Sequence, residues 1–478
     1  MATSLVLPAF SVHAERKLGE TEVSYFLPSR ESGVNDMYLH LGCTVPSHLV
    51  ERQRVLVAWA IMRIRHPLLA SSIRMKSYDD ISFQYDAPHS PNAALALANR
   101  HLEYREQSKD DQNVDFLICA THFLGDGMAL HRFASDFFAL LGSTLDQEAL
   151  DKLLAMEWSE SFYKKEAPSL PQPMEDRLPP CIPGRLRAAA SRIDFELNQQ
   201  KLVGGHHFPK NSRGPRRTVV PTICIEPYKT KLILKYCKDR GVSISAALFA
   251  LCNIAWARTR SGGWELPVMM YSALNMRPNL IADKKLNDSY WFLAIGYFNV
   301  VLPSFFPGIE AEGHGKLAGM FWHRARAAKA QSIQAAKSPL IVSRCRQMAV
   351  ERGRRARVWA KEDDDKLAGV PSHSAAPIVS GPVPIPLRPN APSTALMGLS
   401  LLGNLDGIYK HSNFPDFKFH TLTTGSRQRS GGMLLFGYTF ADKLWISFGY
   451  DANGFEETTV QKFWENIVDG VEEFLVPA

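Results

Sequence analysis

The segment Cys119-Ala120-Thr121-His122-Phe123-Leu124-Gly125-Asp126-Gly127 joins two stretches of different period. Before it, Val114 to Thr121 is apolar and rich in strand formers, and it reads as a buried strand that ends at His122. After it, Leu130, Phe133, Phe137 and Leu141 recur at the spacing of one helical face, which predicts a helix from Asp126 to Leu141. A histidine at such a junction is a candidate general base, because imidazole accepts a proton from a hydroxyl near neutral pH and a strand end holds it rigidly at a cleft. Asp126 would orient the loop, and Gly127 would permit a tight backbone turn. The plainer reading is that Asp126 caps the helix and His122 is a structural histidine. Spacing alone favours that plainer reading, since H-x-x-x-D arises often by chance.

Elements of both kinds extend outward from this point. Leu49 to Arg65 has a helical pattern closed by Pro67, and Val242 to Ala257 reads as a helix buried in the core. Leu266 to Leu274 and Tyr297 to Leu302 read as strands. Leu434 to Tyr438 and Leu444 to Phe448 read as a hairpin turning at Asp442 and Lys443, and Thr458 to Leu475 as a closing amphipathic helix. The chain has 478 residues, enough for two or three domains, and its 45% apolar and 22% charged content excludes a mostly disordered chain. A proline-rich connection from Pro168 to Pro183 and the basic segment Gly204 to Arg217 mark a boundary. They divide the chain into residues 1–190, a crossover linker at 191–217, and residues 218–478. A second proline-rich stretch, Pro371 to Pro392, reads as a long loop in the second half.

The formal charge of +7 is mild for this length and suits anionic small molecules better than nucleic acid. It concentrates at Arg344, Arg346, Arg352, Arg354, Arg355, Arg357 and Lys361, followed at once by Glu362, Asp363, Asp364 and Asp365. This cluster reads either as a phosphate site or, preferably, as a solvated helix whose basic run is partly neutralised by the acidic one. Lys210, Arg213, Arg216 and Arg217 carry the same ambiguity. The seven cysteines are odd in number and lack close pairs, which argues against disulfides and zinc and points to a reducing, cytoplasmic setting. No secretory signal or membrane-spanning run is read, no metal-ligand spacing appears, and no G-x-G-x-x-G or Walker-type loop suggests NAD or ATP.

His122-Phe-Leu-Gly-Asp126-Gly127 resembles the H-x-x-x-D-G motif of the chloramphenicol-acetyltransferase-like superfamily of acyltransferases. Four further segments agree in type and order. They are Arg65-His66-Pro67-Leu68-Leu69, Gly241-Val-Ser-Ile-Ser-Ala-Ala-Leu, Asn275-Met-Arg277-Pro and Ser400-Leu-Leu-Gly403-Asn404. Within that group, Leu18-Gly-Glu-Thr-Glu-Val-Ser-Tyr and Gly33-Val-Asn-Asp-Met-Tyr are most similar to fungal trichothecene 15-O-acetyltransferases. The plant-branch D-F-G-W-G motif is absent, and Thr121 stands where condensation domains carry a second histidine.

The resemblance implies an α/β (α+β sandwich) architecture of two chloramphenicol-acetyltransferase-like domains with an active-site tunnel between them. It implies a monomeric, cytoplasmic O-acyltransferase that uses acetyl-CoA or another acyl-CoA as co-substrate, with no tightly bound cofactor and no metal. The acceptor would be a small hydroxylated metabolite, favourably a trichothecene-like sesquiterpenoid of fungal secondary metabolism. His122 would be the base and Asp126 would form a bidentate ion pair with Arg277. Gly127 and Ser400 would be oxyanion donors, although Ser400 reads more readily as an ordinary strand serine. A carrier-protein-dependent condensation-like enzyme and a non-catalytic metabolite-binding homologue are the alternatives. Trp291, Phe292, Tyr297 and Phe298 would line an acceptor pocket or pack the core, and His131 is read as a surface or packing residue.

Overall fold

A computed structural model describes residues 13–105, 112–162, 170–180, 184–260, 262–282, 289–305, 313–369 and 392–477. Pro371 to Pro389, Pro168, Pro183 and Cys181 lie outside the described residues. The helix predicted at Val242 runs from Ile244 to Thr259, with the Ser243 hydroxyl accepting the Ala246 N–H at 3.2 Å. It is apolar on every side, so it buries its whole circumference from Ala246 to Trp256. It lies among the seven-stranded sheet, the helix His314–Ala336 and the amphipathic helix Glu457–Gly470.

That sheet runs in the order Ile295–Leu302, Val268–Asn275, Met397–Asn404, Met433–Phe440, Lys443–Asp451, with the short strands Thr218–Val219 and Thr222–Ile225 at its far edge. Met397–Asn404 is parallel to both its neighbours, and the other pairs are antiparallel. The last hairpin turns at Ala441 and Asp442, one residue earlier than the sequence suggests. Both residues have positive φ, 52° and 60°, as a two-residue hairpin turn of this hand requires.

The first half has its own three-stranded sheet, in the order Lys418–Ser426, Met37–Thr44, Asn113–Ala120. One of its strands therefore comes from the second half. Asn113–Ala120, read from sequence as buried, is instead an edge strand. Its residues alternate between exposed and half-buried, and Leu117 is 66% exposed. An edge strand with one face on the core and one in water shows this period-two pattern.

Two segments depart from the sequence reading of the junction. A buried one-turn helix, Met174–Arg177, interrupts the first proline-rich connection, with Leu170 and Leu178 pushed into the core. The helix Arg185–Gln200 spans residue 190 and the beginning of the 191–217 crossover. The basic cluster lies on a long helix, Ile341–Leu367, which packs along the first-half helix Glu20–Ser29. Among the described residues, no single helix is long and apolar enough to cross a membrane.

His66 and His131 sit in the core, 4% and 0% exposed. His66 Nδ1 meets the Ser289 hydroxyl at 2.8 Å, and His131 Nδ1 meets the Tyr409 hydroxyl at 3.0 Å. His131 is therefore a core residue rather than a surface one. Burial lowers both imidazoles from 6.5 to about 3, with Arg65 and Arg132 adding to the effect at His66. The unfolded chain takes up these protons near pH 6.5 and the folded chain does not. Stability is thus full above about pH 6.5 and falls as pH drops toward 3, by about 1.4 kcal/mol per pH unit for each histidine. The urea midpoint at pH 5.5 is expected below that at pH 7.5, and an unchanged midpoint contradicts the assignment.

Candidate active site

The loop after Asn113–Ala120 carries His122 to the start of the helix Gly127–Leu141. His122 Nδ1 lies 3.0 Å from the Gly125 carbonyl oxygen. A carbonyl only accepts, so Nδ1–H donates and the neutral ring keeps its Nε2 lone pair free for a proton. The ring stacks on Tyr25 with centroids 4.3 Å apart and planes inclined by 29°. Burial lowers the His122 pKa from 6.5, the nearby Arg352 lowers it further, and the Gly125 bond and Asp126 partly offset both. The imidazole is therefore neutral at pH 7.

Asp126 faces away from chemistry and into structure, and its side chain is 3% exposed. It caps the helix by accepting the Ala129 N–H at 3.1 Å, and it also accepts the Ala294 N–H at 2.9 Å. Arg277 meets both carboxylate oxygens through a single nitrogen, Nη1, at 2.9 and 2.8 Å. The expected fork-to-fork pairing does not form, because Nη2 is turned to the Phe292 carbonyl at 2.9 Å. Cap and ion pair, alternatives in the sequence, coexist on one carboxylate.

The two motif glycines are needed for space. Neither has a positive φ. A Cβ on Gly125 would stand 3.3 Å from the Trp291 ring, and one on Gly127 would stand 3.3 Å from Leu402. The tight turn expected at Gly127 is thus a close approach to a neighbouring strand.

His122, Asp126, Gly127, Arg277 and Ser400 all line one cavity of about 1160 Å³ between the two halves. Ser400 lies on Met397–Asn404, paired with Phe436, just before a bulge between Leu401 and Gly403. Of the aromatic residues read as pocket candidates, only Tyr297 lines the cavity. Trp291 and Phe292 are buried in the core, 1% and 3% exposed, against the motif loop and Arg277.

The sequence of the chain matches no family model and no curated protein. Solved structures do match. The trichothecene 15-O-acetyltransferase TRI3 of Fusarium sporotrichioides superposes with a TM-score of 0.72 at 13% identity, over 99% of each chain. The first condensation domain of the CDA synthetase superposes at 0.55 with 10% identity over 96% of each chain. The condensation domain of the monacolin K polyketide synthase MokA does so at 0.52 with 12% identity, over 96% of this chain and 97% of its own. The fold is chloramphenicol-acetyltransferase-like. At these identities the likeness is one of fold.

On this chloramphenicol-acetyltransferase-like frame the basic cluster is divided: Arg354 and Lys361 are exposed, and Arg354 and Arg355 pair with Glu351 on their own helix, while other members reach across. Arg344 pairs with Asp194 at 2.8 Å, and Arg357 with Glu20 at 2.6 Å and Asp79 at 3.0 Å. In the acidic run, Asp364 turns to Arg30 and to the Tyr78 hydroxyl. Arg357 and Asp364, which read as neutralised along the chain, instead bind the two halves together. The sequence reading gave no role to Tyr25 or Tyr271. Tyr25 lies within Leu18 to Tyr25, a stretch singled out only for resemblance, and nothing in its spacing signals that it stacks on His122. The described cysteines are free thiols, and burial raises Cys43 and Cys345 to about 12 and Cys237 to about 11, far from a reactive thiolate.

Asp126→Ala removes the partner of a largely buried guanidinium and the acceptor of two backbone donors. Its expected cost is about 3–5 kcal/mol, read as a fall in the thermal midpoint. A variant as stable as the parent but inactive would contradict the structural role.

Proposed function

We propose that the protein is an acyl-CoA-dependent O-acyltransferase that acetylates a hydroxyl of a fungal secondary metabolite, a trichothecene-like sesquiterpenoid being the favoured acceptor. The observation that carries this reading is the His122 Nδ1–H bond to the Gly125 carbonyl, which commits Nε2 to accepting a proton in a residue that lines the large cavity. Nε2 takes the acceptor hydroxyl proton as the oxygen attacks the thioester carbonyl. The tetrahedral oxyanion is met by the Gly127 N–H, at the first turn of its helix, and by the Ser400 hydroxyl. Comparable preorganised donors are worth about 3–4 kcal/mol each. Collapse breaks the C–S bond, and the departing thiolate takes the proton back from the imidazolium. Donor and acceptor react in a ternary complex, with no acyl-enzyme. On this reading the enzyme is a cytoplasmic monomer without a tightly bound cofactor.

The likeness to condensation domains supports a second reading, in which the acyl group arrives on a carrier protein. The greater TM-score with an acetyltransferase favours the free thioester. Incubation with acetyl-CoA and a panel of sesquiterpenoid and polyketide alcohols, followed by release of free CoA, separates the two. Release above background is expected for at least one alcohol. His122→Ala is expected to lower kcat by about 10²–10⁴ with an unchanged thermal midpoint. Turnover within a few-fold of the parent contradicts the base. Because burial holds His122 neutral, the acidic limb of kcat/KM is expected below pH 6.5, and a limb above that value contradicts the assignment.

A further inference from the structure

The cavity is lined by Arg30, Arg216, Arg277, Arg352, Arg355 and Arg429, against only Asp126 and Asp363. Most of these arginines are already engaged. Arg277 pairs with Asp126, Arg30 with Asp364, and Arg355 with Glu351 at 3.2 Å, while Arg216 donates to the Ser32 carbonyl at 2.6 Å. Arg352 and Arg429 remain, and no described residue accepts from either guanidinium. The Arg352 Nε is buried without a hydrogen-bond partner, as is that of Arg355, but Arg355 has the Glu351 carboxylate beside it and Arg352 has none. Arg352 rests only on aromatic faces, 4.3 Å from the Tyr297 ring centroid and 5.6 Å from that of Tyr25. Tyr25 in turn stacks on His122, so one tyrosine ring separates this cation from the candidate base.

The surrounding groups leave the charge uncompensated. The Tyr25 and Tyr297 hydroxyls are bonded to one another. Burial raises the Tyr25 phenol well above 10, so it stays neutral. Tyr271, across the cavity, feels both Arg429 and Arg352. A guanidinium carries five donors and stays charged at any working pH. Cation–π contacts stabilise its charge but satisfy none of those donors. An anionic oxygen from a ligand in the cavity would satisfy charge and donors together.

We propose that Arg352 is an anion-recognising residue for the carboxylate of a co-substrate, held one tyrosine ring from the reacting hydroxyl. This rests on the transferase reading for its place in catalysis, although not for binding itself, and it replaces either the neutral sesquiterpenoid acceptor or the acetyl donor of that reading with an acid. The phosphates of CoA are separated from the thioester by the whole pantetheine arm, so they do not meet this cation when the thioester is at His122. The carboxylate belongs either to a hydroxy-acid acceptor or to the acyl group of a dicarboxylic thioester.

Calorimetric titration distinguishes these sources. One arm compares 10-hydroxydecanoate with its methyl ester, and the other compares succinyl-CoA with acetyl-CoA. The wild-type chain is expected to bind the carboxylate member of one pair at least tenfold more tightly, the scale of a hydrogen bond to a charged group. Arg352→Gln is expected to abolish that preference and Arg352→Lys to keep most of it, with thermal midpoints confirming that both fold. Equal binding within both pairs, no binding of either carboxylate, or a preference that survives Arg352→Gln overturns the proposal. If Arg352→Gln does not fold, Arg352→Met takes its place, and a preference that survives it overturns the proposal. CoA release measured with the same probes separates the two levels of the argument. Release with a neutral alcohol and no carboxylate preference sinks the subsite and spares the transferase. A carboxylate preference without release from any pair spares the subsite and sinks the transferase.

Discussion

One carboxylate holds the candidate site together. Asp126 caps the motif helix through the Ala129 amide, takes the Ala294 amide from the second half, and is spanned by Arg277 Nη1. Arg277 is fixed in turn by the Phe292 carbonyl and lies 4.9 Å from the Phe292 ring. Two regions of the chain about 150 residues apart therefore converge on two oxygen atoms. Each donor offsets part of the cost of keeping the charge out of water, and the loss of any one leaves the others facing an under-satisfied carboxylate. The C-terminal end of the His122 loop is thus pinned: Asp126 is held by these donors, and Gly125 beside it packs closely on the Trp291 ring.

The interface between the halves serves the same end. A second-half strand, Lys418–Ser426, completes the first-half sheet, and the helix Ile341–Leu367 crosses to pair with Glu20, Asp79 and Asp194. These crossings fix the walls of the cavity relative to His122. They also account for part of the positive surplus, since Arg346 and Arg357 of the long helix bond first-half carbonyls and carboxylates, and Arg344 pairs with Asp194. Arg352 reaches the cavity with no carboxylate partner, and its position beside Tyr25 and Tyr297 ties the electrostatics of the site to the packing of the interface.

Local elements were legible in the sequence wherever a period or a punctuating residue decided them. The helix Gly127–Leu141 follows from Leu130, Phe133, Phe137 and Leu141, and the core helix follows from its unbroken apolar run. The edge character of Asn113–Ala120 was not legible. A strand backed by one sheet neighbour and a strand buried between two are both written in apolar, β-branched residues, and only the sheet order separates them. His122 and Asp126 stood out because they sit where a strand gives way to a helix, whereas Gly127, Arg277 and Ser400 were singled out through the resemblance, and all five line the cavity. Tyr25 and the special situation of Arg352 were not legible, since each depends on a helix from one half lying against a strand from the other. Charge pairing along the chain misled in part for the same reason. Arg354 and Arg355 do pair with Glu351 nearby, but the partners of Arg357 and Asp364 lie hundreds of residues away.

The account depends on one tautomer. Nitrogen-15 spectra of histidine-labelled protein at pH 7, with the His122 signals assigned by their loss in His122→Gln, report directly which ring nitrogen carries the proton. The Gly125 carbonyl requires a protonated Nδ1 and a bare, accepting Nε2. A protonated Nε2, as the opposite tautomer or as imidazolium, would contradict the assignment of His122 as the base.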